Sequence, residues 1–124
     1  MAQPDSVLIL EDEGLVSILL EEIVRDMGAR VVDVFATARE ALKALASASY
    51  DCAILDVLVR DGSSMQVADA LVERRIPFIF SSGVGIDAVD ARHQCHRLIS
   101  KPFDDEVLRR HLCELLARPR AAVA

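Results

Sequence analysis

Five residues of this chain have the types and spacing for phosphoryl chemistry. Glu11 and Asp12, Asp56, Ser82 and Lys101 each follow directly on a short apolar run: Val7-Leu8-Ile9-Leu10, Ala53-Ile54-Leu55, Phe78-Ile79-Phe80-Ser81 and Leu98-Ile99-Ser100. Three carboxylates suit magnesium, which takes oxygen ligands octahedrally, keeps several waters and is commonly held by one or two carboxylates and a phosphate. Asp12 and Asp56 would be direct ligands and Glu11 a ligand through water. A carboxylate can also attack phosphorus and form an aspartyl phosphate; Asp56, alone at its strand end, is the candidate nucleophile. The charge on a transferred phosphoryl group needs cations and donors aimed at its oxygens, and Lys101 and Ser82 offer them.

These residues meet only if their strands lie side by side and point the same way. In an open parallel sheet, ligands bind outside the carboxyl ends of the strands where strand order reverses. Neighbouring strands lie about 4.8 Å apart, so carboxylates ending two of them can share one small cation. The rest of the pattern predicts such a sheet, with short apolar runs alternating with amphipathic stretches from Ser6 to about Arg118. Val16, Leu19, Leu20, Ile23, Val24 and Met27 recur at helical spacing, and Gly28 stops that helix. Arg30 to Val34 reads as a strand, and Thr37-Ala38-Arg39-Glu40 as a capping box opening a helix that carries Leu42 and Leu45. Asp61-Gly62-Ser63-Ser64 is a turn into a helix with Val67, Ala70 and Leu71 inward, and Pro77 opens the fourth strand. Asp87 to about His96 is expected to be the fourth helix. Pro102-Phe103-Asp104 begins the last, with Val107, Leu108, Leu112, Leu115 and Leu116 facing in. Strands alternating with helices mean right-handed βαβ units and a doubly wound α/β fold.

Composition bounds the function. The 124 residues suffice for one domain, here 1–124 with a core of about 6–118. With 52% hydrophobic but only 4% aromatic residues, the core must be aliphatic, as suits parallel strands covered on both faces. A net charge of -6 opposes binding to nucleic acid or an anionic membrane, and the pairs Arg74-Arg75 and Arg109-Arg110 read as solvated helix ends and faces. Cys52, Cys95 and Cys113 are odd in number and lack CxxC spacing, which argues against a disulfide framework or a zinc knuckle and for reduced thiols. No apolar stretch approaches the roughly eighteen residues that span a bilayer, and no signal-peptide pattern opens the chain, so a soluble, cytoplasmic protein is expected.

With these residues in place, the chain resembles a response-regulator receiver domain of two-component signalling over essentially its whole length. Glu11-Asp12-Glu13 is similar to that family's acidic cluster after strand one, Leu55-Asp56 to its phosphoacceptor, Ser82 to its hydroxyl residue and Lys101-Pro102-Phe103 to its lysine-proline-phenylalanine signature. The resemblance implies a flavodoxin-like sheet of order 2-1-3-4-5 and commonly a cis peptide at Lys101-Pro102. It also implies magnesium-dependent phosphorylation of Asp56 by a histidine kinase or histidine phosphotransfer protein, with the Leu58 backbone carbonyl as a further metal ligand. Ser82 and position 98 would form the switch, and output would pass through the helix 4, strand 5, helix 5 face to a partner protein. Leu98 stands where the family usually has Tyr or Phe, and the segment Val57 to Gly62 lacks the common proline, as in a subgroup of stand-alone receivers. Leu58 and Val84, two residues past acceptor and hydroxyl, would flank the path of the hydrolytic water, and being aliphatic they imply a long-lived phosphoryl group. Such a domain is a phosphoacceptor rather than a turnover enzyme.

Two rival readings exist. A haloacid-dehalogenase-type phosphatase would carry its nucleophile in a DxD pattern after strand one, where this chain has Glu11-Asp12-Glu13. A degenerate receiver would bind its partner regardless of phosphate, against which the intact acids and lysine argue. His93 and His96 read as surface histidines rather than metal ligands, since two ligands on one turn are not four. Gly83-Val84-Gly85 is too short for a dinucleotide fingerprint. Asp5 has no evident role.

Overall fold

Apolar runs with alternating side-chain direction build the centre of the molecule. The structure, a computed structural model, describes residues 3–117. The chain runs β1 (Ser6–Leu10), α1 (Gly14–Asp26), β2 (Val31–Phe35), α2 (Ala38–Ser47), β3 (Cys52–Leu55), β4 (Leu58–Val59), β5 (Gly62–Ser63), α3 (Met65–Glu73), β6 (Phe78–Ser82), β7 (Leu98–Ser100) and α4 (Asp105–Leu116). Five strands form a parallel sheet of order β2-β1-β3-β6-β7, and β4 pairs with β5 as a separate hairpin. Counted without that hairpin, the order is the 2-1-3-4-5 expected of a doubly wound flavodoxin-like sheet. The expected limits 1–124, and the tail after Pro119, run past the described residues.

Strand alternation divides the core in two. Leu8, Leu10, Ala53 and Leu55 face α2 and α3 with Leu45, Met65, Ala68 and Leu71. Val7, Ile9, Cys52 and Ile54 face α1 and α4 with Leu20, Ile23, Val24, Leu108 and Leu112. Leu19, expected inward, is instead 44% exposed. Gly28 ends α1 at φ 116, as its stop role requires. The N-cap half of the expected capping box forms: the Thr37 hydroxyl accepts the Glu40 N–H at 3.2 Å, while the Glu40 carboxylate accepts the Thr37 hydroxyl proton at 2.9 Å. Asp104 does the same for Glu106 at the start of α4, at 2.9 Å. Asp5, unassigned from sequence, pairs with Arg30 at 2.6 Å, and its carbonyl accepts the N–H groups of Arg30 and Val31 at the entry to β2.

Two further expectations need correction. The α-helix expected over Asp87–His96 is absent; two 3-10 turns, Ile86–Ala88 and Ala91–His93, occupy the stretch. Val89 and Asp90 between them are extended, and Ile86 and Val89 are the only large aliphatic side chains there, too few to bury a helical stripe. Polar ties hold the segment instead. Arg92 binds Asp69 of α3 through two bonds of 2.9 Å and Asp90 at 2.6 Å. His93 is not a surface residue: it is 3% exposed, with Nε2 2.6 Å from Asp69 Oδ1. His96 lies over Phe78 with ring centroids 4.3 Å apart.

Candidate functional site

Parallel pairing of β1, β3 and β6 and of β6 with β7 brings their carboxyl ends together, and the chemistry-bearing residues sit there. β1 pairs with β3 in the register Leu10↔Leu55, so Glu11 and Asp56 are the next residues out on neighbouring strands. The strand ends are fixed by main-chain bonds, Asp56 N–H to Leu10 C=O at 2.9 Å and Glu11 N–H to Phe35 C=O at 2.9 Å. One carboxylate oxygen each from Glu11, Asp12 and Asp56 lies within 4.8 Å of the others. An all-oxygen, carboxylate-rich set of this size fits a magnesium ion that keeps part of its water shell.

Lys101 closes the pocket from β7. Its Nζ donates to Glu11 Oε1 at 2.7 Å and to Asp56 Oδ2 at 2.9 Å. Glu11 Oε2 accepts the Glu13 N–H at 3.2 Å, so both oxygens of this buried carboxylate are engaged. Burial pushes the Glu11 carboxyl above the ordinary glutamate range, and the Lys101 and Glu13 bonds offset that only in part. For Lys101 burial works downward, but the bonds to Glu11 and Asp56 outweigh it and hold the proton above the usual lysine range. The pocket thus keeps an ammonium between two acids, and Asp12 is the half-buried acid on its rim.

Ser82, the last residue of β6, is 2% exposed. Its Oγ accepts the Val84 N–H at 3.1 Å, and its carbonyl accepts the Lys101 N–H at 2.8 Å. The hydroxyl and the lysine are therefore joined through the main chain. The Lys101–Pro102 peptide is cis. Leu98, the first residue of β7, pairs with Phe80 of β6 and packs half-buried against the core on the α2 and α3 side. The Leu58 and Val84 side chains are 56% and 41% exposed.

The hairpin after Asp56 was legible from sequence only as a turn. Val57 C=O accepts both the N–H of Ser64, at 3.0 Å, and its Oγ–H, at 3.2 Å. Opposed residues of an antiparallel pair alternate between hydrogen-bonded and non-bonded, so Leu58 and Ser63, next to that pair, form a non-bonded one. The Leu58 carbonyl is thereby turned away from β5 and left for other partners. Gly62 takes φ 122 at the tip, a value other side chains resist. The signal for this arrangement was Gly62: the turn residues Arg60 and Asp61 lie between the paired Val59 and Gly62, and a positive-φ glycine closing a short loop is a common hairpin feature.

Comparison with known proteins agrees with this geometry. Residues 7–113 match the family described as the response regulator receiver domain. The chain is 30% identical to the response regulator Rre1 of Synechocystis over 98% of its own length, and it spans 56% of that protein. SdrG of Sphingomonas melonis superposes with a TM-score of 0.81 at 36% identity, covering 94% of this chain and 100% of SdrG. The receiver domain of PhyR from Erythrobacter litoralis gives 0.82 at 28%, covering 94% and 95%. The chain belongs to the response-regulator receiver family.

Proposed function

We propose that this receiver accepts a phosphoryl group on Asp56, with magnesium bound, from a histidine kinase or histidine phosphotransfer protein in the cytoplasm. It is a phosphoacceptor switch, not a turnover enzyme. The observation that carries the reading is the Glu11, Asp12 and Asp56 cluster with Lys101 bonded to two of its members. Asp12, Asp56 and the Leu58 carbonyl would hold the ion, and Glu11, both of whose oxygens are taken, would act through water. The ion supplies positive charge that lowers repulsion between the incoming phosphate and the acids.

In the transfer, an Asp56 carboxylate oxygen forms a bond to phosphorus as the P–N bond to the donor imidazole breaks, and the imidazole nitrogen keeps the electron pair. Lys101 can exchange its bond to Asp56 for one to a phosphoryl oxygen while Glu11 keeps hold of it. The Ser82 hydroxyl, which accepts the Val84 N–H, can donate its own proton to a phosphoryl oxygen, and moving towards that oxygen would draw on the Gly83–Gly85 loop. The new charge biases a two-state equilibrium of the chain. The 3-10 segment 86–96, with β7 and α4, is the face through which a partner protein would read it.

The donor side has its own surface. Leu15, Ile18 and Leu19 of α1 are 87%, 56% and 44% exposed within two turns of the acidic residues. An exposed apolar helix face of this kind suits packing against the helices of a phosphodonor.

The test is labelling by acetyl phosphate with magnesium, read by intact mass. The parent should gain one phosphoryl group and Asp56→Asn none, since an amide is no anionic nucleophile. Labelling of Asp56→Asn at the parent level would exclude the assignment. Steady turnover of a generic phosphomonoester would favour the phosphatase reading.

A further inference from the structure

The hairpin β4–β5 is held at both ends by groups that no part of the phosphoacceptor chemistry uses. At its base, Ser64 is fully buried and closes on the Val57 carbonyl through both N–H and hydroxyl. At its tip, the Asp61 carboxylate accepts the N–H of Ala38 at 2.7 Å and that of Arg39 at 3.1 Å, the first two residues of α2. The Arg60 N–H adds a longer contact to the Ala36 carbonyl at 3.4 Å. These bonds hold the Asp61 carboxyl below the ordinary aspartate range, the Ala38 N–H contributing most. Thr37 already caps this helix through Glu40, so α2 has a local cap of its own. A second, remote carboxylate on the same helix end does more than end the helix: it clamps the hairpin.

We propose that Asp61 is a positioning residue for the cation site, clamping the hairpin tip to α2 so that the main chain at Leu58 is held beside Asp56 and Asp12. This rests on the phosphoacceptor reading above. The physical argument is one of order. Leu58 lies two residues past Asp56 on a two-stranded ribbon of two residues per strand, a unit too small to hold its own geometry in water. Its base is fixed by Ser64 and the Val59 side chain packs into the core, but the tip beyond Val59 is tied to α2 by the two Asp61 bonds and, more weakly, by the Arg60 contact. A carbonyl ligand on a loosened ribbon must be ordered when the ion binds, and that entropy is subtracted from affinity. Groups that orient metal ligands from outside the ligand set are typically worth ten- to hundredfold in affinity.

The test compares the parent with Asp61→Ala, Asp61→Asn and Ser64→Ala by magnesium titration of the full chain, followed by amide NMR and calorimetry. Asp61→Ala should weaken magnesium binding on the order of tenfold and speed hydrogen exchange across residues 57–64. Asp61→Asn, which keeps an oxygen for the Ala38 N–H, should recover most of the affinity. Ser64→Ala loosens the other end of the ribbon and should weaken binding in the same direction. A lowered Tm for Asp61→Ala with parent-like magnesium affinity would make Asp61 a helix cap alone and overturn the proposal. A parent that binds no magnesium would sink the phosphoacceptor reading instead. In that case unchanged exchange over 57–64 in Asp61→Ala would still overturn the clamp.

Discussion

The Lys101 ammonium lies 2.7 Å from Glu11 Oε1, and the Glu11 side chain is 1% exposed. Lys101 reaches Asp56 as well, so one cation screens two acids in a confined space. Removing the cation leaves both carboxylates buried and facing each other. Lys101→Met should therefore lower stability in EDTA by about 3 kcal/mol, the usual cost of breaking a buried pair from one side. Magnesium should restore part of the loss, because it returns positive charge to the same place. Thermal unfolding with and without the ion checks this, and equal losses in both conditions would contradict it.

Glu11→Gln should cost less than Lys101→Met. Burial already disfavours the Glu11 anion, as its raised carboxyl shows, and the amide keeps an oxygen for Lys101. The sign of the linkage agrees: a carboxyl raised on folding contributes most below its unfolded value, and that contribution is lost as pH rises through the folded one. Stability at neutral pH measured for both variants should show this order, and the reverse order would contradict it.

Leu15 and Ile18 test how the donor docks. The double variant Leu15→Asp, Ile18→Asp should slow transfer from a phosphorylated histidine phosphotransfer protein by about tenfold or more, the loss expected of a contact at the centre of an interface. Labelling by acetyl phosphate, which needs no docking, should stay at the parent's level. Equal loss in both assays would mean damage to the site rather than to docking.

The exposed Leu58 and Val84 side chains carry no polar atom to align water for attack on a phosphorylated Asp56. Leu58→Asn with Val84→Glu should speed loss of the phosphoryl group on the order of tenfold, small beside the ~10²–10⁴ of full general-base catalysis. Decay followed by intact mass without any partner decides it. A double variant that decays no faster would show that water positioning does not set the lifetime.

Arg92 first and His93 second hold the Asp69 carboxyl down, to about 2. A lowered carboxyl stabilises the fold above its unfolded value near 3.8, and that contribution disappears as pH falls from there towards about 2. Amides of residues 86–96 should lose protection in that window. In Asp69→Asn they should exchange faster already at neutral pH. Protection in Asp69→Asn matching the parent's would show that this ion pair does not hold the segment.

Much of the protein was decided locally. The aliphatic runs specify buried parallel strands because only such strands lose both faces to a core, and acids placed after the first and third of them meet wherever those two are neighbours. Gly28, Thr37 and Asp104 could be read as helix ends because caps act within one turn. The remaining features depend on partners distant in sequence. His93 looked like a surface histidine because nothing nearby in sequence could bury it; in the fold its ring lies edge-on to Phe78 and its Nε2 bonds Asp69 on α3. The helix expected over Asp87–His96 gave way to 3-10 turns because Arg92 and His93 bind that same carboxylate more profitably than a poorly apolar helix could pack. Asp61 looked like an ordinary turn residue, and only the placing of α2 beside the hairpin made its carboxylate a clamp. Lys101 and Glu11 were legible as neighbours of a pocket, but that the ammonium stands bonded between Glu11 and Asp56 was settled by the register of four strands, a property no single stretch of chain contains.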